Sequence, residues 1–477
     1  MNKINIIGLI CPVLLINNHI KAEKISSKLP NFLIVYVDDM GYGDLGCFGS
    51  TLHRTPNLDK MAEEGIKFTD FYVTSGVSSP SRASLLTGCY PQRIGLQANA
   101  KPIGSVGRQV LFPVDSKGLN PKETTIGKIL KSKGYSTACI GKWHLGDQNA
   151  FLPTQHGFDY YFGIPYSNDM NRDFCPLPLM KNNKVIEAPV DQNTITKRYK
   201  EETIKFIKEN KNCPFFIYLA HSMPHNPLHA SNQFRGKSNN GIYGDAVEEI
   251  DWSVGEIFKV LKEEKLDDNT VVIFASDNGA DRRYGGSNAP LSGWKGSTME
   301  GGMRVPCIMR WPSVIQRGRV CHDIVTTLEI LPTIAEIVSF DLRKEPRIDG
   351  KSVLSFLTGE TIKSPRSVFN YYQLEQLQAI RWKEWKLHLA LDSALSNIHN
   401  GTFGPGRKMK LINLKEDIKE EIDLSENHPD IVIKIMKYAN ETRKSLGDLG
   451  IEGSEVRKAG IVDKPEPQLL YQDKKHN

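Results

Sequence analysis

The stretches 32-FLIVYVDD-39 and 271-VVIFASDNG-279 decide the fold. Each is an apolar run of strand length that stops abruptly on acidic and amide side chains. A strand with almost no polar residue is buried on both faces, as in a parallel sheet covered by helices. Two more runs have the same build, 136-STACIGKWH-144 and 215-FFIYLAHSMPH-225. Helical patterns lie between them. In 55-TPNLDKMAEEG-65 a threonine can cap, proline takes the first helical position and glycine closes; residues 124–133 close on Gly134 in the same manner. Residues 245–264 carry Ala246, Ile250, Val254, Ile257 and Leu261 on one face. This alternation predicts an α/β fold, a large and mostly parallel sheet flanked by helices. Such sheets bind ligands beyond the carboxyl ends of their strands, where all four polar clusters stand.

After residue 340 the texture changes. Residues 379–382 and 385–389 read as an antiparallel hairpin, 410–414 as another strand and 429–446 as a terminal helix. The expected division is a signal peptide at 1–22, a catalytic α/β domain at 23–340, a smaller C-terminal α+β subdomain with an antiparallel sheet at 341–462, and a loose tail at 463–477. The leader, 1-MNKINIIGLICPVLLINNHIKA-22, has a short basic start, an apolar run too short to span a bilayer, and a small residue at its end. It predicts export to the periplasm or outside the cell by the secretion machinery, ahead of a buried N-terminal strand, which would need a pairing signal. Cys11 follows isoleucine rather than a small residue, so no lipid or membrane anchor is expected.

A net charge of +6 spread over 477 residues forms no basic stripe, and the lysine-rich run 197–211 reads as a solvated helix face. Nucleic acid is therefore not an expected partner. Without the leader seven cysteines remain, with no CxxC pair for zinc or redox chemistry. One or two disulfides would be compatible with an oxidising compartment, and the sequence does not pair them.

Asp38-Asp39 and Asp277-Asn278 stand at the ends of two strands. Past a strand end the chain can turn adjacent side chains towards one point, so three carboxylates and an amide oxygen can form a site for a hard cation, calcium before magnesium. Taken singly, either pair is more simply a turn or a cap. Lys142 and His144 follow one strand and can face the same side. His225 lies in 223-MPHNP-227, stiffened by prolines, as a positioned acid or base requires. His221 and His229 are read as structural. Lys295, in 293-GWKG-296, sits on a loop whose glycines permit close approach to a ligand. In 78-SSPSRASLLTG-88, Ser79 is expected to cap a helix opening at Pro80 and ending at Gly88, which leaves Ser78 just before a helix N-terminus and Arg82 in its first turn.

The segment 78-SSPSRASLLTG-88 resembles the sulfatase signature, Cys or Ser-x-Pro-Ser-Arg followed by Leu-Thr-Gly. In the same order as in that family stand 37-VDDMGYGDLGCFG-49, 141-GKWHLG-146, the MPHNP histidine, 276-SDNG-279 and 295-KGSTMEGGMRVP-306. The similarity spans residues 30–460. It looks closest to the arylsulfatase A and N-acetylgalactosamine-6-sulfatase branch, which 163-GIPYSNDM-170 also resembles. The resemblance implies an alkaline-phosphatase-like fold and a formylglycine made from Ser78 by a radical-SAM maturation enzyme. A plain serine that took up sulfate would only make another inert ester. The aldehyde hydrate keeps a second hydroxyl, through which sulfate is expelled as the carbonyl re-forms.

The resemblance also implies roles. Asp38, Asp39, Asp277 and Asn278 would hold calcium with an oxygen of modified Ser78 nearby. Arg82, Lys142 and Lys295 would neutralise sulfuryl oxygens, and Arg82 would brace the hydrate. His225 with Lys295 would protonate the leaving alcohol, His144 would take the proton of the second hydroxyl, and Ser167 would contact substrate. The expected activity is release of sulfate from a sulfated glycan, with galactose or N-acetylgalactosamine sulfate as the sugar. Specificity is expected in loops 166–178 and 371–378. Two rivals are a phosphatase or phosphonate hydrolase using unmodified Ser78, and a non-catalytic binder of sulfated glycans. No second metal set accompanies the first, and Asn278 suits tight zinc poorly, which counts against the former.

Overall fold

The computed structural model describes residues 29–100, 107–395 and 402–470. The leader 1–22 and Cys11 lie outside the described residues. The strands of the main sheet are β1 (Asn31–Val37), β2 (Ile66–Phe68), β3 (Ser136–Gly141), β4 (Tyr160–Gly163), β5 (Leu179–Lys181), β6 (Lys184–Glu187), β7 (Phe215–Ala220), β8 (Thr270–Ser276), β9 (Cys307–Arg310) and β10 (Arg319–Cys321). They form one ten-stranded sheet in the order β10-β2-β9-β8-β1-β7-β3-β4-β5-β6. The central five, β8-β1-β7-β3-β4, are all parallel, while β9 and β5 run against their neighbours. β1, β7 and β8 are buried along their whole length, which is why their sequences carry no polar alternation.

Helices α1 (Pro56–Glu64), α2 (Ser78–Thr87), α3 (Ile126–Ser132), α4 (Ile195–Glu209), α5 (Gly241–Glu263) and α6 (Ile330–Ile337) cover the sheet. Two large apolar clusters result, one containing Phe32, Ile34 and Tyr36 of β1 and the other its alternate residues Leu33, Val35 and Val37. Side chains alternate across a strand, so β1 feeds both layers.

Some local expectations are corrected. α5 begins at Gly241, four residues before the expected start. Thr55 precedes α1, but its hydroxyl serves Gly46 N and Asp59 instead. The cap comes from α5: Asp251 accepts from the Asn57 and Leu58 N–H groups at 3.2 and 2.8 Å. Val77, not Ser79, is the residue before α2, and Ser79 Oγ accepts from Leu111 N at 3.1 Å. Ser78 thus opens the helix rather than preceding it. Among the described residues no cysteines are bonded to each other; Cys47, Cys89, Cys139, Cys175, Cys213, Cys307 and Cys321 are free thiols.

The C-terminal subdomain contains β11 (Val368–Gln373), β12 (Gln376–Trp382), β13 (Trp385–His388) and β14 (Lys410–Asn413), an antiparallel sheet in that order, and α7 (Pro429–Leu446). Phe369 of β11 packs tilted against Tyr72 of the catalytic domain, ring centroids 4.8 Å apart, and Tyr371 meets the same ring edge-on at 6.0 Å. The start of the tail is fastened, against expectation: Glu466 N donates to Gln148 Oε1 at 2.8 Å and Gln468 Nε2 to the Asp147 carbonyl at 2.7 Å.

Candidate active site

The carboxyl ends of β1, β8, β3 and β7 bring the polar clusters together. Asp39 has φ 63° and His144 φ 60°, both left-handed, where non-glycine residues are uncommon and each needs its surroundings to hold it. At Asp39 that turn lets Asp38 and Asp39 face one point. Gly141 has φ +117°, and a Cβ there would meet the Ala220 carbonyl oxygen at 1.8 Å. Glycine is the residue that lets β3 turn into the Lys142 loop against β7.

The N-terminus of α2 points into this floor. Ser78 Oγ donates to Asp38 Oδ1 at 3.0 Å. Lys142 Nζ lies 2.5 Å from Asp38 Oδ2, 3.3 Å from Ser78 Oγ and 3.1 Å from Ser167 Oγ. Arg82 donates through Nε and Nη2 to Asp277 Oδ2 at 3.0 and 2.8 Å, and its Nη2 is 3.6 Å from Asp38 Oδ1. Lys295 Nζ donates to Asp39 Oδ2 at 2.7 Å, and His225 Nε2 lies 3.7 Å from the same oxygen. Ser78, Arg82, Lys142, Ser167, His225 and Lys295 are therefore gathered around Asp38, Asp39 and Asp277, while the His144 side chain has its bond to Leu111. His221 and His229 make their bonds elsewhere, to Ser253 and Asn193.

The charges are set by one another. Burial disfavours ionised Asp38, yet Lys142, His225 and Arg82 hold its pKa well below the usual carboxylate range. Asp277 is pushed up to about 6 by burial and by Asp38, with Arg82 pulling the other way. Burial lowers the Lys142 pKa despite Asp38, whereas at Lys295 burial is outweighed by Asp39 and Asp38, which raise it. Burial, then Lys142 and Arg82, hold His144 neutral. Its Nε2 bonds the Leu111 carbonyl at 2.9 Å and must carry the hydrogen, so the unpartnered Nδ1 keeps a free lone pair. His225 is the mirror case, with Nδ1 on the Asn226 carbonyl and Nε2 towards the acids.

The donor set fits a hard cation. Asp38, Asp39 and His225 place ligand atoms within 4.8 Å of one another. Asn278 Nδ2 donates to Asp39 Oδ1 and the Gly279 carbonyl, while its Oδ1 is buried without a partner. A buried amide oxygen with no partner is costly unless a donor or a cation meets it. Membership of His225 in this group was not expected from the sequence, which marked it as an acid or base facing substrate. Asp169 was also missed: the residue is open to solvent on one side, and its carboxylate, crowded on the other, accepts from Ser167 and is held low, against desolvation, by His225 and Lys142. Its signal was its place two residues after Ser167. Of the expected specificity loop 371–378, Tyr371, Gln373, Gln376 and Gln378 are buried, as are Lys142 and Ser167.

A family model described as Sulfatase matches residues 30–339, and one described as the C-terminal region of aryl-sulfatase matches residues 364–457. The chain belongs to the sulfatase family. This sulfatase is 33% identical over 445 residues to the steryl-sulfatase of Homo sapiens, covering 76% of this chain and 75% of that protein. It is 38% identical over 378 residues to the N-acetylgalactosamine-6-sulfatase of Canis lupus familiaris, covering 75% and 71%. Among solved structures it is similar to a Bacteroides thetaiotaomicron protein of the metabolism of multiple glycosaminoglycans. That pair has 27% identity and a TM-score of 0.76, covering 87% of this chain and all of that one. The sulfatase is thus a sulfuric ester hydrolase with the α/β sheet and C-terminal antiparallel sheet of its relatives. Among the described residues, no helix is long and apolar enough to cross a membrane.

Proposed function

We propose that the sulfatase removes sulfate from a sulfated carbohydrate, galactose or N-acetylgalactosamine sulfate within a glycan, after export and after oxidation of Ser78 to formylglycine by a maturation enzyme. The observation that carries this reading is the setting of Ser78 Oγ. It stands at the first turn of α2, 3.0 Å from Asp38 Oδ1 and 3.3 Å from the Lys142 ammonium.

Asp38, Asp39, Asp277 and Asn278 would hold calcium, which would favour the ionised form of an oxygen on residue 78. The chain's own groups do the remainder. Lys142 and Ser167 lie 3.1 Å apart and make one cradle for a sulfuryl oxygen, with Lys295 on the Asp39 side. His225 presents Nε2 towards that space and serves the departing alcohol together with Lys295. His144 presents its free Nδ1 and takes the proton of the second hydroxyl of residue 78. Arg82 stays fixed on Asp277 and orients that carboxylate. The sugar preference rests on the N-acetylgalactosamine and glycosaminoglycan relatives; the steryl relative makes steryl sulfate the comparison substrate.

Two measurements test this. The Ser78 peptide from protein made in a host that matures it is expected to be lighter by two hydrogens. Matured protein is expected to release sulfate from a panel of monosulfated sugars in preference to steryl sulfate and phosphate monoesters, and Ser78→Ala to abolish release while the fold survives. Unmodified Ser78 with phosphate release, or wild-type activity in Ser78→Ala, refutes the reading.

A further inference from the structure

Lys295 is carried by a segment that the C-terminal subdomain grips with its side chains. Ser292 Oγ and the Glu300 N–H both donate to Glu420 Oε1, at 3.0 and 2.7 Å. Thr298 Oγ1 donates to Gln378 Oε1 at 2.8 Å, and the Thr298 carbonyl accepts from Lys386 Nζ at 2.9 Å. Glu300 Oε1 accepts from Tyr371 OH at 2.7 Å and from Lys386 Nζ at 3.1 Å. Lys386 completes the set on Glu420 Oε2 at 2.8 Å, where His388 Nε2 also lies at 2.7 Å.

The side chains of Glu300, Lys386 and Glu420 have no exposed surface. Taking these charges out of water is expensive even though Lys386 lies between the two glutamates, with Arg304 3.5 Å from Glu300 and His388 on Glu420. Glu420 has φ 60°, a left-handed conformation that a non-glycine residue holds only when its surroundings demand it. A contact serving only to glue two domains could be apolar, as the packing of Phe369 on Tyr72 already is. These bonds instead end on residues 292, 298 and 300, on both sides of Lys295. On the catalytic side the same segment is pinned by Lys295 N to the Ala280 carbonyl at 3.0 Å and by Gly296 N to the Gly76 carbonyl at 2.8 Å. The loop is therefore stretched between two anchors, one beside Asp277-Asn278 and Ser78 and the other in the second subdomain.

We propose that Gln378, Lys386 and Glu420 are positioning residues for Lys295, so that the C-terminal subdomain sets the placement of a catalytic cation. The proposal rests on the reading of Lys295 given above. A lysine held for the leaving oxygen matters most when that oxygen departs as a strong base. Loosening its loop then costs an unactivated ester more than an activated one. A general loss of folded protein lowers both alike.

The test uses matured full-length protein and the variant S292A/T298V, which removes two uncharged tethers and leaves the buried acids paired; Thr298→Ser is the control that keeps the hydroxyl. Amide exchange of the 292–300 peptide, and kcat and KM for 4-nitrophenyl sulfate and phenyl sulfate, are measured with the thermal midpoint as reference. In the double variant, exchange of that peptide is expected to rise about tenfold and kcat for phenyl sulfate to fall about tenfold or more, with 4-nitrophenyl sulfate within about threefold. T298S is expected to behave as wild type. Unchanged exchange, or equal losses for the two esters, overturns the positioning role. If wild type releases sulfate from neither ester nor from any sugar sulfate while exchange responds as stated, the catalytic reading of Lys295 falls and the tether stands.

Discussion

Replacing Arg82 by methionine measures how far the acidic floor of the site depends on one buried cation. The guanidinium has no exposed surface, donates twice to Asp277 Oδ2, and gives Nη1 to the Lys142 carbonyl at 3.2 Å. Asp38, Asp39 and Asp277 face Arg82, Lys142 and Lys295, three charges against three. Methionine follows the aliphatic stem and leaves Asp277 buried without its partner. Breaking one side of a buried pair costs about 3–5 kcal/mol. The Lys142 carbonyl loses one bond as well, worth about 1 kcal/mol. Arg82→Met is therefore expected to lose about 4–6 kcal/mol of stability. Asp277→Asn removes the charge that the methionine variant strands, so the double variant is expected to lose less than the sum, with a coupling of about 2–3 kcal/mol. Urea unfolding of the four proteins in chelator, followed by tryptophan fluorescence, gives the cycle. A loss under about 1 kcal/mol for Arg82→Met, or strict additivity, would show that the pair does not organise these acids.

Asn278→Leu removes the orphaned oxygen and is expected to abolish most of the rise in thermal midpoint on adding calcium; an undiminished rise refutes that residue as a ligand. His156 stacks on Trp143 and is held down at about 3 by burial, then by Lys128, so the fold keeps it neutral. Below its unfolded pKa the unfolded chain takes a proton the fold refuses. Stability is then lost as pH falls from about 6.5 towards 3, by about 2 kcal/mol at pH 5. His156→Phe keeps the stacking and should lose about that much less between pH 7 and 5; equal losses in stability on acidification refute the assignment.

Much of the site was legible because its residues follow directly on strands whose apolar runs are plain. Val37, Gly141, Ala220 and Ser276 end their strands one to five residues before Asp38, Lys142, His225 and Asp277. The terminal helix was legible at both ends, Pro429 and Leu446, since proline and glycine bound it. Short strands such as β2, β5 and β9 were not, because three or four residues show no periodicity. The cap of α1 was misread since its donor of charge, Asp251, is 195 residues beyond Pro56 in the chain, and nothing local announces it.

From the order of its residues alone, this protein declares a covered parallel sheet, the strand ends where polar groups gather, and the chemical kind of each donor. Those properties follow from side-chain period and local backbone preference, which act within a few residues. Tertiary structure alone decides that Ser78 lies against Asp38 and Lys142, that His144 frees Nδ1 rather than Nε2, and that Glu420 holds the segment bearing Lys295. Each of these depends on groups 33 to 120 residues apart meeting in a space from which water is excluded. Proximity of that kind is a property of packing and leaves no period in the chain.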